Sequence, residues 1–122
     1  MVEDHAATRE SLGILLKRRG YRVTLAASAA SAKEAAKNTQ FALLISDIGL
    51  PDVDGYALLR ELRQQQPQLR SIALSGYGSE DDRDRSSAAG FNSHIIKPVT
   101  IGALDSAVAE VLHASSAPVP AS

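Results

Sequence analysis

The chain of 122 residues has no cysteine and no tryptophan, and aromatic residues make up only 4% of it. The absence of cysteine excludes disulfides and thiolate metal sites, and it fits a cytosolic protein. The scarcity of aromatic residues argues against a surface on which nucleic-acid bases stack. The hydrophobic core must therefore be built mainly from aliphatic side chains.

The sequence also lacks an excess of charge of one sign and any long apolar run. The formal net charge is −1, so the balance does not favour nucleic acid or an anionic membrane as a partner. No apolar stretch is long enough to span a bilayer. We predict a domain in the cytoplasm, or on the cytosolic side of a membrane-tethered protein, that contacts neither nucleic acid nor membrane directly.

The chain alternates between strand-like and helix-like segments. Short apolar or alternating runs predict strands at Met1–Val2, Tyr21–Ala26, Phe41–Asp47, Ser71–Leu74 and Ser93–Ile96. Helical spacing and helix-forming residues predict helices at Ala6–Arg19, Ser28–Thr39, about Gly55–Gln66, Glu80–Ala89 and Thr100–Leu112. This alternation is typical of a parallel sheet that is covered by helices on both faces.

A chain of this length holds one domain with one core. We assign residues 1–113 to that domain, and residues 114–122, rich in Ala, Ser and Pro, to a disordered tail or linker. The first strand is short, because strands usually run about five or six residues. We therefore expect the natural chain to extend upstream of Met1 with several apolar residues.

Polar residues follow four of the predicted strands. Glu3 and Asp4 follow the first strand, Asp47 closes the third, and Ser75 and Lys97 follow the last two. Because parallel strands point the same way, these ends converge on one edge of the sheet. Each residue alone has an ordinary explanation as a helix cap or a surface side chain, but their shared position indicates a functional site.

The chemistry of that edge favours a hard cation. Three clustered carboxylates repel each other, and oxygen ligands favour an ion such as Mg²⁺. A Mg²⁺ ion beside a carboxylate, a hydroxyl and a lysine suits phosphoryl transfer, which depends on positioning and charge neutralisation. A carboxylate can itself act as the nucleophile and form an aspartyl phosphate.

These motifs resemble those of a response-regulator receiver domain. The resemblance covers about residues 1–113 and rests on Val2-Glu3-Asp4, Ser46-Asp47-Ile48-Gly49-Leu50-Pro51-Asp52-Val53-Asp54-Gly55, Ala73-Leu74-Ser75-Gly76 and Lys97-Pro98. It implies a flavodoxin-like, doubly wound α/β fold with five helices and five parallel strands in the order 2-1-3-4-5. It leaves open whether the domain acts alone or belongs to a larger protein such as a hybrid histidine kinase.

The resemblance also implies a separate role for each acidic residue. Asp47 would accept a phosphoryl group from a histidine of a partner kinase or phosphotransfer domain. Asp4 would bind Mg²⁺ directly, Glu3 would act mainly through water, and the backbone carbonyl of Gly49 would be a further ligand. From the residues themselves, His5 is assigned to the start of the first helix rather than to the metal site.

Ser75 and Lys97 would contact the phosphoryl oxygens, and the Lys97-Pro98 bond resembles one that is cis in the family. His94 stands where receivers usually carry an aromatic residue that moves inward after phosphorylation. We hypothesise that His94, together with Ser75, forms the switch. In the loop after Asp47, Asp54 is interpreted as a helix cap and Asp52 as an ordinary loop residue.

Two other classes of function fit parts of the pattern. One is a receiver-like interaction module that is never phosphorylated. The presence of Asp4, Asp47, Ser75 and Lys97 together argues against it. The other is a small phosphate-ester hydrolase with Asp47 as its nucleophile, but Gly49 stands where a second carboxylate would be needed. We therefore predict a switch domain with intrinsic phosphoryl-transfer and autodephosphorylation chemistry rather than a conventional enzyme.

Overall fold

The structure, a computed structural model, describes residues 1–50, 52–76 and 88–116, with the side chains of the last helix described as far as Leu112. The predicted helix at Glu80–Ala89 lies outside the described residues, apart from its last two positions. Residues 117–122 of the predicted tail also lie outside them. Within the described part of the chain, no helix is both long and apolar enough to cross a membrane.

The helices and strands that the structure describes follow the predicted order along the chain. The helices are α1 (Ala6–Arg18), α2 (Ala29–Ala36), α3 (Gly55–Gln65) and α4 (Ile101–Ser116), and the strands are β1 (Leu43–Asp47), β2 (Arg70–Ser75) and β3 (Ser93–Ile96). Helix α2 ends at Ala36, three residues before the predicted end at Thr39. The side-chain amide of Gln66 donates hydrogen bonds to the carbonyl oxygens of Ala36 and Thr39. Helix α4 continues to Ser116, past the predicted domain boundary at residue 113.

The three strands form a parallel sheet in the order β1-β2-β3. On the free side of β1, Val2 makes one parallel bridge to Ser46 and another to Ala26. Val2 therefore lies between Ala26 and β1, and the five positions follow the predicted order 2-1-3-4-5. The α/β fold with a parallel sheet is confirmed.

The first two predicted strands are only partly visible within the described residues, and the first is short, as the sequence indicates. Met1–Val2 and Tyr21–Ala26 contribute only the isolated bridges at Val2 and Ala26. The reason is the length of the first segment, because a single bridging residue cannot build a ladder along the whole of Tyr21–Ala26.

Hydrophobic clusters lie on both faces of the sheet. The cluster beneath α2 and α3 contains Val2, Leu58, Leu59 and Ala73. The cluster beneath α1 and α4 includes residues from both helices and from all three strands, namely Leu12, Leu16, Ile45, Ile72, Leu74, Ile95, Leu104 and Val108. The core is mainly aliphatic, as the composition predicts, and it fixes the carboxyl ends of the strands relative to one another.

Asp54 and Asp52 anchor the loop that follows β1. Asp54 caps α3 as predicted, since its carboxylate accepts a hydrogen bond of 2.8 Å from Ala57 N. Asp52 has a larger role than that of an ordinary loop residue, because its carboxylate accepts hydrogen bonds from Ala29 N and Ala30 N, at 3.0 and 2.9 Å. These bonds, led by the one from Ala30, hold the pKa of Asp52 below its usual range. The loop is thereby tied to the start of α2.

Asp52→Asn is expected to destabilise the domain near neutral pH, and this difference should fade in acid. The pKa of Asp52 in the folded state lies below its ordinary value of 3.8, so its contribution is present above that value and is lost as the pH falls through the lower one. Urea unfolding of both proteins at about pH 6 and about pH 3 measures the difference.

Ser28→Ala is the matched control for Asp52→Asn. The Ser28 hydroxyl caps the same helix by accepting a hydrogen bond from Ser31 N at 3.2 Å, and it does not titrate. The effect of Ser28→Ala should therefore be present at both pH values. An Asp52→Asn effect of equal size at both pH values would contradict the assignment of a charged cap to Asp52.

Candidate functional site

The backbone of the first residues carries the acidic pair to the end of β1. Val2 N donates to Ile45 O at 2.7 Å, and Asp47 N donates to Val2 O at 2.9 Å. On the other side, Glu3 N donates to Ala26 O at 3.0 Å. Val2 is buried between these partners, so Glu3 is held beside Asp47 even though the first segment is short.

Lys97 joins two buried carboxylates at this edge. Its Nζ donates to Glu3 Oε1 at 2.8 Å and to Asp47 Oδ2 at 2.7 Å. The side chain of Glu3 is 1% exposed and that of Asp47 is 9% exposed, whereas Lys97 is 25% exposed. Lys97 is therefore the most exposed member of the bridge, and both carboxylates have little contact with solvent.

The protonation of Lys97 is set by these partners. Burial alone lowers the pKa of Lys97, but hydrogen bonds to Asp47 and Glu3 and their negative charges outweigh burial and raise it above the ordinary value of 10.5. The stability that this raised pKa contributes is present below 10.5 and is lost as the pH rises through the higher value in the folded protein. Lys97 is thus a permanent cation at neutral pH.

Asp4 and His5 complete the acidic cluster. His5 Nδ1 lies 3.4 Å from both Glu3 Oε2 and Asp4 Oδ1. One ligand atom from each of Glu3, Asp4, His5 and Asp47 can be chosen so that all four lie within 4.8 Å of one another. Burial raises the pKa of Asp4, but its hydrogen bond with Glu3 and the nearby charges of His5 and Lys97 reverse this, and the pKa is lowered.

His5 has a larger place in the site than predicted. It is the residue before α1, as the sequence indicates, but its side chain makes no cap hydrogen bond there. The ring instead faces the two carboxylates that precede it. His5 therefore lies at the helix start, as predicted, and its ring also lies beside the acidic pair, which its position directly after Glu3-Asp4 could have indicated.

The donor set fits a hard divalent cation. Glu3, Asp4 and Asp47 carry a formal −3 and Lys97 carries +1, so the cluster has a formal charge of −3 + 1 = −2 when His5 is neutral. Carboxylate oxygens are the ligands that Mg²⁺ prefers, with water completing the octahedron. Gly49 N donates to Asp47 Oδ1 at 3.3 Å, which orients the second oxygen of that carboxylate.

Ser75 and His94 lie on the neighbouring strands. Ser75 ends β2, one position beyond Leu74, the register partner of Asp47, and it is buried. Lys97 N donates to Ser75 O at 2.7 Å, which joins the ends of β2 and β3. His94 is half-buried on β3 opposite Ala73, and its role as a switch stays a prediction. The Lys97-Pro98 bond is cis, as predicted.

Sequence reasoning missed Arg9 as part of the site. Arg9 Nη1 donates to Glu3 O at 2.9 Å and to Asp4 O at 3.4 Å. The guanidinium, reaching back from α1, therefore fixes the backbone that carries both carboxylates. An arginine in the first turns of the helix after an acidic pair was the only signal in the sequence, and many surface arginines share it.

Gly55 allows α3 to begin against the backbone of Asp47. Gly55 N donates to Ile48 O at 2.7 Å. A Cβ atom at position 55 would lie 2.6 Å from Asp47 O and 3.0 Å from Ile48 Cα. Both neighbours are backbone atoms that cannot rotate away, so any side chain there must displace Asp47 or the start of α3.

Gly55→Ala is therefore expected to destabilise the domain by about 2–3 kcal/mol, as overpacking against fixed atoms does. Gly102→Ala is the matched control, because a Cβ atom there meets nothing within 4 Å. In α4 that change should be neutral or stabilising by up to about 1 kcal/mol. Urea unfolding measures both variants, and equal stabilities would show that the contact at Asp47 is not restrictive.

Comparison with known proteins identifies the family. The sequence model of the response regulator receiver domain matches residues 1–109. The transcriptional activator protein PfeR of Pseudomonas aeruginosa is 37% identical over 105 residues, which cover 86% of this chain and 34% of PfeR. The chain thus spans about a third of the length of that relative. An uncharacterized 14.6 kDa protein of Leptolyngbya boryana is 35% identical over 101 residues, covering 81% of this chain and 77% of that protein.

Solved structures agree with the sequence comparison. The crystal structure of a CheY-like response regulator receiver domain protein from Methanospirillum hungatei JF-1 matches with a TM-score of 0.86 at 32% identity, covering 94% of this chain and 92% of that one. The receiver domain of sensor histidine kinase PA1611 from Pseudomonas aeruginosa PAO1, with a magnesium ion coordinated in its active site cleft, matches with a TM-score of 0.80 at 30% identity, covering 92% and 93%. This chain belongs to the response regulator receiver domain family.

Proposed function

We propose that this receiver domain accepts a phosphoryl group on Asp47 from a phosphohistidine of a histidine kinase or histidine phosphotransfer domain. The reaction depends on Mg²⁺ and changes a surface that binds another protein. The observation that carries the proposal is the buried bridge from Lys97 Nζ to both Glu3 and Asp47. It brings two carboxylates and a cation together at one edge of the sheet, and this supports Asp47 as the proposed nucleophile.

In the proposed step, one carboxylate oxygen of Asp47 attacks phosphorus, and the bond from phosphorus to the histidine nitrogen breaks. The electron pair of that bond returns to the imidazole, and an aspartyl phosphate forms. Gly49 N and Lys97 hold the two oxygens of Asp47 at 3.3 and 2.7 Å and so orient the carboxylate. Mg²⁺, when bound by Asp4 and Asp47, neutralises charge on the phosphoryl oxygens.

Glu3 is paired with Lys97 before the step. Glu3 is the more buried of the two carboxylates that Lys97 binds, which supports a role in holding Lys97 and water rather than in direct ligation of the metal. The Gly49 carbonyl remains the proposed backbone ligand. Ser75, one register step beyond Asp47 along the edge, is proposed to donate its hydroxyl to a phosphoryl oxygen.

Phosphorylation adds roughly one to two negative charges at neutral pH. The new charge competes with Glu3 and Asp47 for Lys97 and attracts the Ser75 hydroxyl. We propose that Lys97 and Ser75 then move toward the phosphoryl group, that His94 on β3 responds to this movement, and that the domain thereby shifts between two surface states. The product is a switched binding surface rather than a released compound, so the domain is not a conventional enzyme.

Whether the domain acts alone or within a larger protein, and where it lies in the cell, remain predictions. Similarity to the receiver domain of a sensor histidine kinase and to a transcriptional activator fits either a hybrid kinase or a regulator as the parent. In both arrangements the partner is a protein that carries a phosphohistidine, and the domain works in the cytoplasm.

Incubation with acetyl phosphate and Mg²⁺, followed by intact-mass measurement, tests the proposal. We expect the mass of one phosphoryl group to be added and to decay slowly, and we expect no addition in EDTA. No adduct under any condition would favour a non-phosphorylated interaction module. Rapid turnover of acetyl phosphate together with other phosphate esters, without an observable adduct, would favour a hydrolase.

A further inference from the structure

The acidic cluster contains a nitrogen ligand atom beside its carboxylate oxygens. His5 Nδ1 lies 3.4 Å from Glu3 Oε2 and 3.4 Å from Asp4 Oδ1. The same ring supplies one of the four ligand atoms that lie within 4.8 Å of one another, with Asp47 supplying another. Opposite ligands of an octahedral ion with bonds of about 2.1 Å are about 4.2 Å apart, so these atoms are close enough to share one cation.

The backbone of His5 is held on both sides. His5 N donates to Glu3 Oε2 at 3.2 Å, and His5 O accepts a hydrogen bond from Arg9 N at 2.9 Å. The residue itself is extended, with φ −79° and ψ 114°, directly before α1. The imidazole ring therefore leaves the backbone from a defined position beside the acidic pair.

Neither helix capping nor core packing explains where the His5 ring lies. The side chain makes no cap hydrogen bond to α1, and it is 73% exposed. A histidine that binds a metal usually gives its second ring nitrogen to another partner, and this degree of exposure allows solvent to serve as that partner. The ring can thus direct Nδ1 to the cluster at little cost.

An imidazole nitrogen changes which ions a carboxylate cluster favours. Mg²⁺ is a hard ion that takes oxygen ligands and retains several waters. First-row transition ions such as Co²⁺, Ni²⁺ and Zn²⁺ accept nitrogen ligands, and a mixed nitrogen and oxygen site binds most of them more tightly than Mn²⁺. A histidine in the cluster therefore strengthens the binding of transition ions without strengthening that of Mg²⁺.

We propose that His5 Nδ1 is a direct ligand in this cluster, beside the carboxylates of Asp4 and Asp47, and that it makes the site select a divalent transition ion over Mg²⁺. Lys97 pairs with Glu3 at the buried side of the same cluster. The inference rests on the metal site of the proposed function and adds the residue that determines which ion this site selects. Its test measures metal binding and uses no phosphorylation.

Calorimetric titration of the unmodified domain and of His5→Gln, with Co²⁺ alone and with Mg²⁺ alone, tests the proposal. His5→Gln should weaken Co²⁺ binding at least about tenfold, because even residues that only orient a ligand contribute about 10- to 100-fold to metal affinity. The affinity for Mg²⁺ should change by less than about threefold, since Mg²⁺ is held by the carboxylates. The Mg²⁺ titration is therefore the control within the same variant.

NMR spectroscopy of the Co²⁺-loaded domain provides a second readout. Co²⁺ is paramagnetic, so the ring protons of a histidine bound to it give strongly shifted signals. The unmodified domain should show these signals and His5→Gln should lack them. In EDTA the thermal midpoints of the two proteins should agree, because the exposed ring does not cap α1.

Equal weakening of Co²⁺ and Mg²⁺ binding in His5→Gln would overturn the proposal, because His5 would then only position the carboxylates. Unchanged Co²⁺ binding, or shifted ring signals that persist in His5→Gln, would overturn it as well. In each of these cases Mg²⁺ still binds the unmodified domain, and the proposed function stands. If the unmodified domain bound neither ion, the metal dependence of the proposed function would fail together with this inference.

Discussion

Lys97→Met should lower the free energy of unfolding by about 3 kcal/mol when divalent cations are removed with EDTA, because breaking a buried ion pair leaves charge uncompensated. Here one substitution removes the cation from two carboxylates at once, and both are almost fully buried. Methionine preserves most of the apolar stem, so the change reports charge rather than packing. Urea unfolding in EDTA measures it.

Mg²⁺ should restore part of the stability of Lys97→Met, since a divalent ion in the same cluster compensates the same carboxylates. The rate of phosphorylation by acetyl phosphate should still fall about 100-fold, as when one donor to a developing phosphoryl charge is removed. Lys33→Met is the matched control, because it breaks an exposed pair with Glu61 at 3.2 Å. That control should change stability by no more than about 1 kcal/mol.

Unchanged stability of Lys97→Met in EDTA would mean that Glu3 and Asp47 do not need their shared cation. A phosphorylation rate equal to that of the unmodified domain would mean that Lys97 does not act on the transferred group. The two measurements separate the structural part of the bridge from its part in the reaction.

Asp4→Asn is expected to remove at least about half of the stabilisation that Mg²⁺ gives. An ion present at about 100 times its dissociation constant stabilises the folded state by about 2.7 kcal/mol. If Asp4 is a direct ligand, its loss weakens Mg²⁺ binding at least tenfold, and the gain at the same Mg²⁺ concentration falls by about 1.4 kcal/mol. Thermal unfolding over a Mg²⁺ titration measures this effect.

Asp105→Asn is the control for the loss of one carboxylate. Asp105 is exposed and pairs with Arg19 at 2.7 Å, outside the acidic cluster. Its variant should respond to Mg²⁺ as the unmodified domain does. An unchanged Mg²⁺ response of Asp4→Asn would remove Asp4 from the metal site and leave the cluster to Glu3, His5 and Asp47.

The convergence of Glu3, Asp47 and Lys97 could be predicted from the sequence because it depends only on strand direction. Each residue follows a short apolar run, and parallel strands bring such ends to one edge whatever the details of packing. In the structure Lys97 donates a hydrogen bond to each of Glu3 and Asp47. Their roles in phosphoryl transfer remain proposals.

The contacts of Asp52 and Arg9 could not be predicted, because their partners are chosen by tertiary packing. Asp52 binds the backbone of Ala29 and Ala30, more than twenty positions away, and nothing in its own loop indicates α2 as the partner. Arg9 reaches back to carbonyl groups rather than to the nearby carboxylates. Charged residues in loops and first turns have many possible partners, and the sequence does not rank them.

The predicted strands β1, β2 and β3 are confirmed, and each of them pairs with a neighbouring strand over several residues. At Tyr21–Ala26 the alternation of side chains is a strand pattern, but pairing also requires a partner. Among the described residues, the bridge to this segment is the one from Val2 to Ala26. The side-chain pattern therefore predicted the position of this segment beside Val2, but it could not predict how many backbone pairs the segment would form.

The most direct test of the account is to map the phosphoryl group after reaction with acetyl phosphate and Mg²⁺. Borohydride reduces an aspartyl phosphate to homoserine, and peptide mass spectrometry then locates the mark. We predict homoserine at position 47 and its absence in Asp47→Asn, while Asp54→Asn, which alters only a helix cap in the same loop, keeps it. A mark at another acidic residue, or none in the unmodified domain, would contradict the assignment of Asp47 as the phosphoacceptor.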